Sequence, residues 1–255
     1  MLGWLPDPGA GPFLALLASG ALVGGFVNGL AGFGTALFAL GFWLEIMPAQ
    51  QAVAIAIVMS VSSGSQAAWV IRRSIRAQTR RLMVFLLPAL IGVPIGVRLL
   101  SFVSADQLKF GIASFMLLFG GFFLLRRSLP RITRPLPLVD ALVGFLGGVL
   151  GGAASLSGAL PTMWCAMRPW TKQETRAVLQ PFNLIILGLT LVVLALRGVL
   201  DRETLILIVL CLPMTFVATR VGLAVFHRLN DDIFRRLLIG LMFLSGALML
   251  LRELL

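Results

Sequence analysis

The chain has 255 residues, 59% of them hydrophobic and 12% charged, with a formal net charge of +11 and a mean hydropathy of +1.01. A soluble domain holds about a quarter charged residues, whereas apolar runs near 20 residues recur here, about the length a helix needs to cross ~30 Å of hydrocarbon. That excludes a soluble domain, and the runs do not alternate as barrel strands do, so the chain reads as an all-α integral membrane protein.

The opening, MLGWLPDPGAGP, has no Lys or Arg before its first apolar run, which argues against a cleaved signal peptide. Apolar segments follow at 12–28, 34–46, 50–71, 82–101, 108–125, 138–154, 157–167, 177–196, 204–226 and 237–251, giving 8–10 helical membrane segments. The pieces 34–46 and 157–167 are too short to cross unaided. Each follows a stretch rich in Gly and small polar residues. The first holds Asn28, Gly32, Gly34 and Thr35, and the second holds Gly151, Gly152, Ser155, Ser157, Gly158 and Pro161.

Polar residues mark other spans. Segment 50–71 carries Ser60, Ser62, Ser63, Ser65 and Gln66, and segment 177–196 carries Gln180, Pro181 and Asn183. These either join helices to one another or line a path for substrate. Arg98 and Arg220 fall inside spans, where an arginine is a functional candidate by default; snorkelling to the interface is the alternative for Arg98. Asp140 opens a helix as its expected cap. Trp43 and Trp164 stand just beyond the two Gly-rich stretches, as walls of a site or as interfacial anchors. Cys165 and Cys211 lie in apolar runs without a CxxC, as free buried thiols. The single histidine, His227, sits at a span end. No P-loop or dinucleotide motif appears, so no cofactor and no ATP-driven chemistry are expected.

The two halves resemble each other. A shift of 123 lays GGFVNGLAGFGTAL (24–37) on GGVLGGAASLSGAL (147–160), and Asn183 falls on Ser60. A shift of 126 lays MLLFGGFFLLR (116–126) on MFLSGALMLLR (242–252). The reading is two units, 1–126 and 138–255, joined by a linker at 127–137 and acting as one transport domain. Basic residues gather at 72–81, 126–136, 168–176 and 227–236, which marks those loops as cytoplasmic. The N-terminus is then outside. Each Gly-broken pair begins and ends on one side, as two crossings or as a re-entrant hairpin. Each unit, a broken pair plus three long spans, makes an odd number of crossings, and the second unit is inverted. The positive charge is thus accounted for by topology in a cell (inner) membrane, with the lipid bilayer and not nucleic acid as partner. Homo-oligomerisation is left open.

A broken helix in hydrocarbon exposes backbone N–H and C=O groups that cost several kcal/mol each if unpaired. Breaks are tolerated where protein or a water-filled cavity satisfies them, and freed helix N-termini attract anions. Matching breaks in two inverted halves point to a substrate site between them. Close helix packing through glycine is the alternative reading of the same residues, as in Gly25-xxx-Gly29 and Gly148-xxx-Gly152.

The two stretches GFVNGLAGFGTALFAL and GGVLGGAASLSGALPTMW resemble the duplicated Gly-rich motifs of the TauE/SafE family, sulfite and organosulfonate exporters, and the likeness covers nearly the whole chain. The family motif resembles G-x-G-G followed by small and apolar residues and a Pro. The first copy here reads Gly-Phe-Gly-Thr (32–35) with Phe38 in the place of the Pro, and the second reads Ser-Leu-Ser-Gly (155–158) and keeps Pro161. The resemblance implies secondary transport, outward, of a small sulfur-containing anion such as sulfite, sulfoacetate, isethionate or a taurine-derived anion. The expected substrate-binding set is Asn28, Gly32, Gly34, Thr35, Ser63, Gln66, Arg98, Ser155, Ser157, Gly158, Trp164, Gln180, Asn183 and Arg220, with Arg220 indispensable. Two rival readings are a membrane thiol-redox protein working through Cys165 and Cys211, and a non-transporting accessory subunit.

Overall fold

The computed structural model describes residues 10–31, 34–70, 72–125 and 132–229, together with the single positions 243, 247 and 251. Ten helices lie among them: α1 (Ala10–Ala31), α2 (Thr35–Trp43), α3 (Ala49–Val70), α4 (Arg72–Ala77), α5 (Thr79–Leu100), α6 (Ala105–Leu125), α7 (Pro137–Ala154), α8 (Ala159–Ala166), α9 (Lys172–Leu196) and α10 (Arg202–Arg228). Every segment expected from hydropathy up to residue 226 is a helix. The last, 237–251, lies outside the described residues except at 243, 247 and 251. Helix is the form an apolar run takes when its backbone must pair with itself. Five helices, α1, α5, α7, α9 and α10, are long and apolar enough to cross a membrane.

Local signals set the ends. Thr171 and Glu174 close a capping box at the start of α9. Asp201 accepts from the Thr204 N–H at 2.8 Å to open α10. Pro137 supplies a preset φ at the first turn of α7. Two expectations need correction. The basic stretch 72–81 is not all loop, because Arg72–Ala77 form the short helix α4. Asp140 does not cap α7: Leu136 occupies that position, and the Asp140 carboxylate accepts instead from Arg168 at 2.7 Å and from Trp164 Nε1.

Two glycine seams hold the long helices. On α7, a Cβ at Gly144, Gly148 or Gly152 would strike the carbonyls of Phe85, Ala89 and Val93 on α5. On α1, a Cβ at Gly25 or Gly29 would strike the carbonyls of Thr215 and Thr219 on α10. Only Gly permits backbones to meet this closely. The offsets match those read in the sequence. Gly29 and Gly152 differ by 123, and their partners Val93 and Thr219 differ by 126. Along both seams the residue numbers rise together, so α1 runs with α10 and α5 runs with α7. Thr215 and Thr219 also lie 3.2 Å from Met59 Sδ and Ser63 Oγ, so α3 runs with α10. Arg81 pairs with Glu174 at one end of α5 and α9, and Arg197 donates to Ser101 at the other. Six of the long helices therefore form two sets, α1, α3, α10 and α5, α7, α9, joined through α4.

The two short helices turn back on their predecessors. Trp43, at the end of α2, donates from Nε1 to the Leu17 carbonyl at 3.1 Å, while Thr35 and Ala39 lie against Gly24. On the other side, Ser157 and Pro161 face Gly147. With nine and eight residues, α2 and α8 extend about 12–14 Å and do not cross alone.

Candidate functional site

At the turn between α1 and α2, Gly34 takes φ +100°, a conformation that glycine reaches without strain. At the turn between α7 and α8 the residue with positive φ is Ser155, at 58°. Its N–H bonds the Gly151 carbonyl at 3.0 Å, and the next N–H, of Leu156, reaches back to Leu150 at 3.1 Å. This paired closure ends helices in the left-handed conformation, usually with Gly. A serine there costs roughly 1–2 kcal/mol, and such strain gathers at functional sites.

Both turns open onto one cavity. Its polar lining comes from Asn28, Ser60, Ser155, Ser157, Gln180 and Asn183, and its apolar lining from Leu37, Leu156, Leu184 and Leu187. Gly34 and Gly158, the residues that open α2 and α8, also line it. The N-terminal ends of two short helices thus meet in one place, and the first N–H groups of a helix have no partner within it. The cavity lies midway along the long helices: Ser60 is the twelfth residue of α3 and Asn183 the twelfth of α9.

The side chains there are buried and incompletely paired. Asn28 Nδ2, Ser155 Oγ and Gln180 Oε1 have no hydrogen-bond partner among the described residues, and the same holds for Thr35 Oγ beside the cavity. Asn28, Ser155 and Gln180 are only 4%, 6% and 2% exposed. A buried polar group left unpaired costs about 1–3 kcal/mol, and several of them share one hollow. The remaining contacts fix the frame. Ser157 Oγ donates to Asn183 Oδ1 at 2.9 Å, and Gln180 Nε2 donates to the Gly64 carbonyl at 3.2 Å. None of the described lining residues is charged. The arrangement offers dipoles and neutral donors to an anion in a low-dielectric pocket, where each is worth more than in water.

Of the expected set, Asn28, Gly34, Ser155, Ser157, Gly158, Gln180 and Asn183 come together at this cavity. Thr35 is buried beside them. Gly32 and the Gln66 side chain lie outside the described residues. Four residues do not line it. Ser63 faces α10, donating to the Met59 carbonyl at 2.7 Å and meeting Thr219, and so serves as a link between helices. Ser60, three residues earlier, points to the cavity in its place. Trp164 is taken up by Asp140 and the Arg168 guanidinium. Arg98 and Arg220 are on exposed faces of α5 and α10, and Arg220 stacks at 4.5 Å on Phe216. Trp43 is wholly buried against α1 and walls no site. Cys165 and Cys211 are free and buried, and neither lines the cavity. Gly64 and the leucines were not anticipated as lining. The repeat held a signal for Gly64 and Leu187, which, like Ser60 and Asn183 or Gly34 and Ser157, differ by 123.

No curated protein and no solved structure matches the chain. A family model does: the one described as sulfite exporter TauE/SafE, over residues 16–249. Glycine-opened short helices, a cavity whose described lining carries no charge and five helices long and apolar enough to cross a membrane are features an anion carrier can use, and the match spans nearly the whole sequence. The chain belongs to the TauE/SafE sulfite exporter family, as a multi-pass membrane transporter and not an enzyme.

Proposed function

We propose that the protein carries a small sulfur oxyanion or sulfonate out of the cell by alternating access, with the anion held where the ends of α2 and α8 meet. The observation that carries this reading is the convergence of both helix openings, one from each half, on a central cavity lined by Asn28 Nδ2 and Ser155 Oγ, which have no partner among the described residues. Helix N-termini favour anions through their free N–H groups and dipole.

The two halves, 1–126 and 138–255, act in this reading as inverted copies around that cavity. Their support is the register of the glycine seams, which repeats at matching offsets in the two halves. Under the repeat α1, α3 and α10 correspond to α7, α9 and α5, so the correspondence exchanges the two helix sets. A rocking of one set against the other would open the cavity to each side in turn. With the basic loops in the cytoplasm, an inside-negative potential favours exit of an anion by about 2.3 kcal/mol per charge per 100 mV. Export then needs no buried acid for proton coupling.

The test is purified protein in proteoliposomes, loaded in turn with sulfite, sulfate, thiosulfate, taurine, isethionate and sulfoacetate. Efflux that accelerates with an outside-positive potential and counterflow of labelled substrate are expected for at least one of them. Thermal unfolding of the detergent-solubilised protein should rise with the same anion, because ligand binding stabilises the folded state. An accessory subunit would show neither.

A further inference from the structure

Gln180 separates two kinds of anion. Its amide is locked: Nε2 donates to the Gly64 carbonyl at 3.2 Å, and a flipped amide would set Oε1 against that carbonyl oxygen. The oxygen that remains is an obligatory acceptor, buried, lining the cavity and without a partner among the described residues. Around it stand groups that donate, or that do either: Asn28 Nδ2, Ser155 Oγ and the first N–H groups of α2. A fully deprotonated oxyanion would satisfy the donors and place a lone pair against Gln180 Oε1. The lining also holds no cation among its described residues. Moving an ion out of water costs in proportion to the square of its charge, so an uncharged pocket accepts one negative charge far more readily than two.

Resting on the proposed transport site, we infer that the species bound is a monoanion bearing one hydrogen-bond donor, which it gives to Gln180 Oε1. Two chemistries supply it. One is a protonated sulfur oxyanion, hydrogen sulfite in place of sulfite. The other is a sulfonate with a hydroxyl or amine group close to the sulfur. Anions with two charges and no donor, such as sulfate, are refused.

The experiment measures binding to the purified full-length protein by calorimetry, first with matched ligands. Isethionate and ethanesulfonate are monoanions of like size that differ in one hydroxyl, and isethionate is expected to bind at least about tenfold more tightly, as for a site that loses a buried hydrogen bond. The preference should vanish in Gln180→Met, which keeps length and loses the acceptor. The second arm titrates sulfite as pH rises through its second dissociation. If only hydrogen sulfite binds, apparent affinity falls about tenfold per pH unit beyond that point, while methanesulfonate stays flat. The two arms tell the sources apart: hydroxyl preference without sulfite binding assigns the substituted sulfonate, and the pH slope assigns the protonated oxyanion. Equal binding of isethionate and ethanesulfonate, or sulfite affinity that does not fall with pH, overturns the donor rule and leaves the anion site standing. Binding of none of the anions overturns both. Should Gln180→Met fail to fold, the wild-type ligand series and pH series decide alone.

Discussion

The two helix breaks are built to one plan with different materials. At the first, glycine provides the left-handed turn, Gly34, and the short helix α2 is pinned by a neutral bond from Trp43 to the Leu17 backbone. At the second, a serine takes the turn, Ser155, and α8 is pinned by Trp164 and Arg168 to the charge of Asp140. Position 17 of the first half corresponds to position 140 of the second under the shift of 123. The same mechanical task, holding a short helix against its long neighbour, is done once by an amide carbonyl and once by a partly buried ion pair. The first break contributes mainly backbone and Asn28; the second adds hydroxyls, with Ser157 braced on Asn183. Two copies of one hairpin can thus diverge in side chains while keeping the geometry that brings their ends together.

The pins give the sharpest test of this difference. In Asp140→Ala the Arg168 guanidinium, whose side chain is 5% exposed, loses its carboxylate. Removing one partner of a buried pair costs about 3–5 kcal/mol, so the melting temperature of the solubilised protein should drop steeply. Trp43→Phe, which removes the neutral counterpart, should cost roughly 1 kcal/mol for the lost hydrogen bond. Asp140→Ala combined with Arg168→Ala should recover part of the loss. Equal effects at both pins would show that charge is immaterial to the second.

Asn28 comes next. Asn28→Leu keeps the branched shape and removes a donor without a partner among the described residues, so unliganded stability should hold or rise, by up to about 1–3 kcal/mol. Anion affinity should fall by about 10- to 100-fold, the worth of a hydrogen bond to a charged group. Calorimetry with the best sulfur anion reads both sides of this trade. A variant that is less stable and binds normally would assign Asn28 to the frame.

The two turns themselves predict opposite signs. Gly34→Ala forces a Cβ into φ +100° with Val27 3.2 Å away, and should destabilise by roughly 1–2 kcal/mol. Ser155→Gly relieves strain of that size and gives back part of it in unfolded-chain entropy, for a net gain of about 0.5–1 kcal/mol. It should also weaken anion binding through loss of the hydroxyl. If Ser155→Gly is both less stable and fully competent in binding, the strained serine has no part in the site.

How much of this was legible in the sequence follows from what each signal measures. Hydropathy located the helices because, in hydrocarbon, length and apolarity decide. The internal shift of 123 placed Gly34 with Ser157 and Ser60 with Asn183, and both pairs meet at the cavity. The face of a helix was harder to read. Ser60 and Ser63 lie on one polar stretch, yet a turn of the helix sends one to the cavity and the other to Thr219. Nothing in SVSSGS distinguishes them without knowing where α10 packs. Asp140 looked like a cap because it stands near a helix start, and its real partner, Arg168, is 28 residues away in sequence. Arg220 looked central because of its depth in a span, and depth along a helix carries no direction around it.

Arg220 therefore offers the smallest effect and a strict check on the whole picture. Its neighbour Thr219 faces inward, 3.1 Å from the Gly25 carbonyl, while Arg220 is exposed with Phe216, Val217 and Val221 on the opposite side of α10. The helix places it eight residues before its end at Arg228, about 12 Å along the axis. A long side chain resting on Phe216 can reach from there towards the interface. Arg220→Ala should then change anion affinity less than about twofold, and stability by no more than the roughly 0.5–1 kcal/mol of an exposed cation–π contact. Arg220→Lys should behave the same, since no planar fork is in use. If Arg220→Ala instead abolishes binding while its thermal unfolding is unchanged, the anion meets a charge that the present arrangement turns outward. α10 would then have to rotate about its own axis during transport. That motion would drag Thr219 off the α1 backbone and open the glycine seam at Gly29. A disulfide introduced across that seam separates the cases: it should leave binding intact if the site is the neutral cavity, and abolish it if the arginine must turn inward.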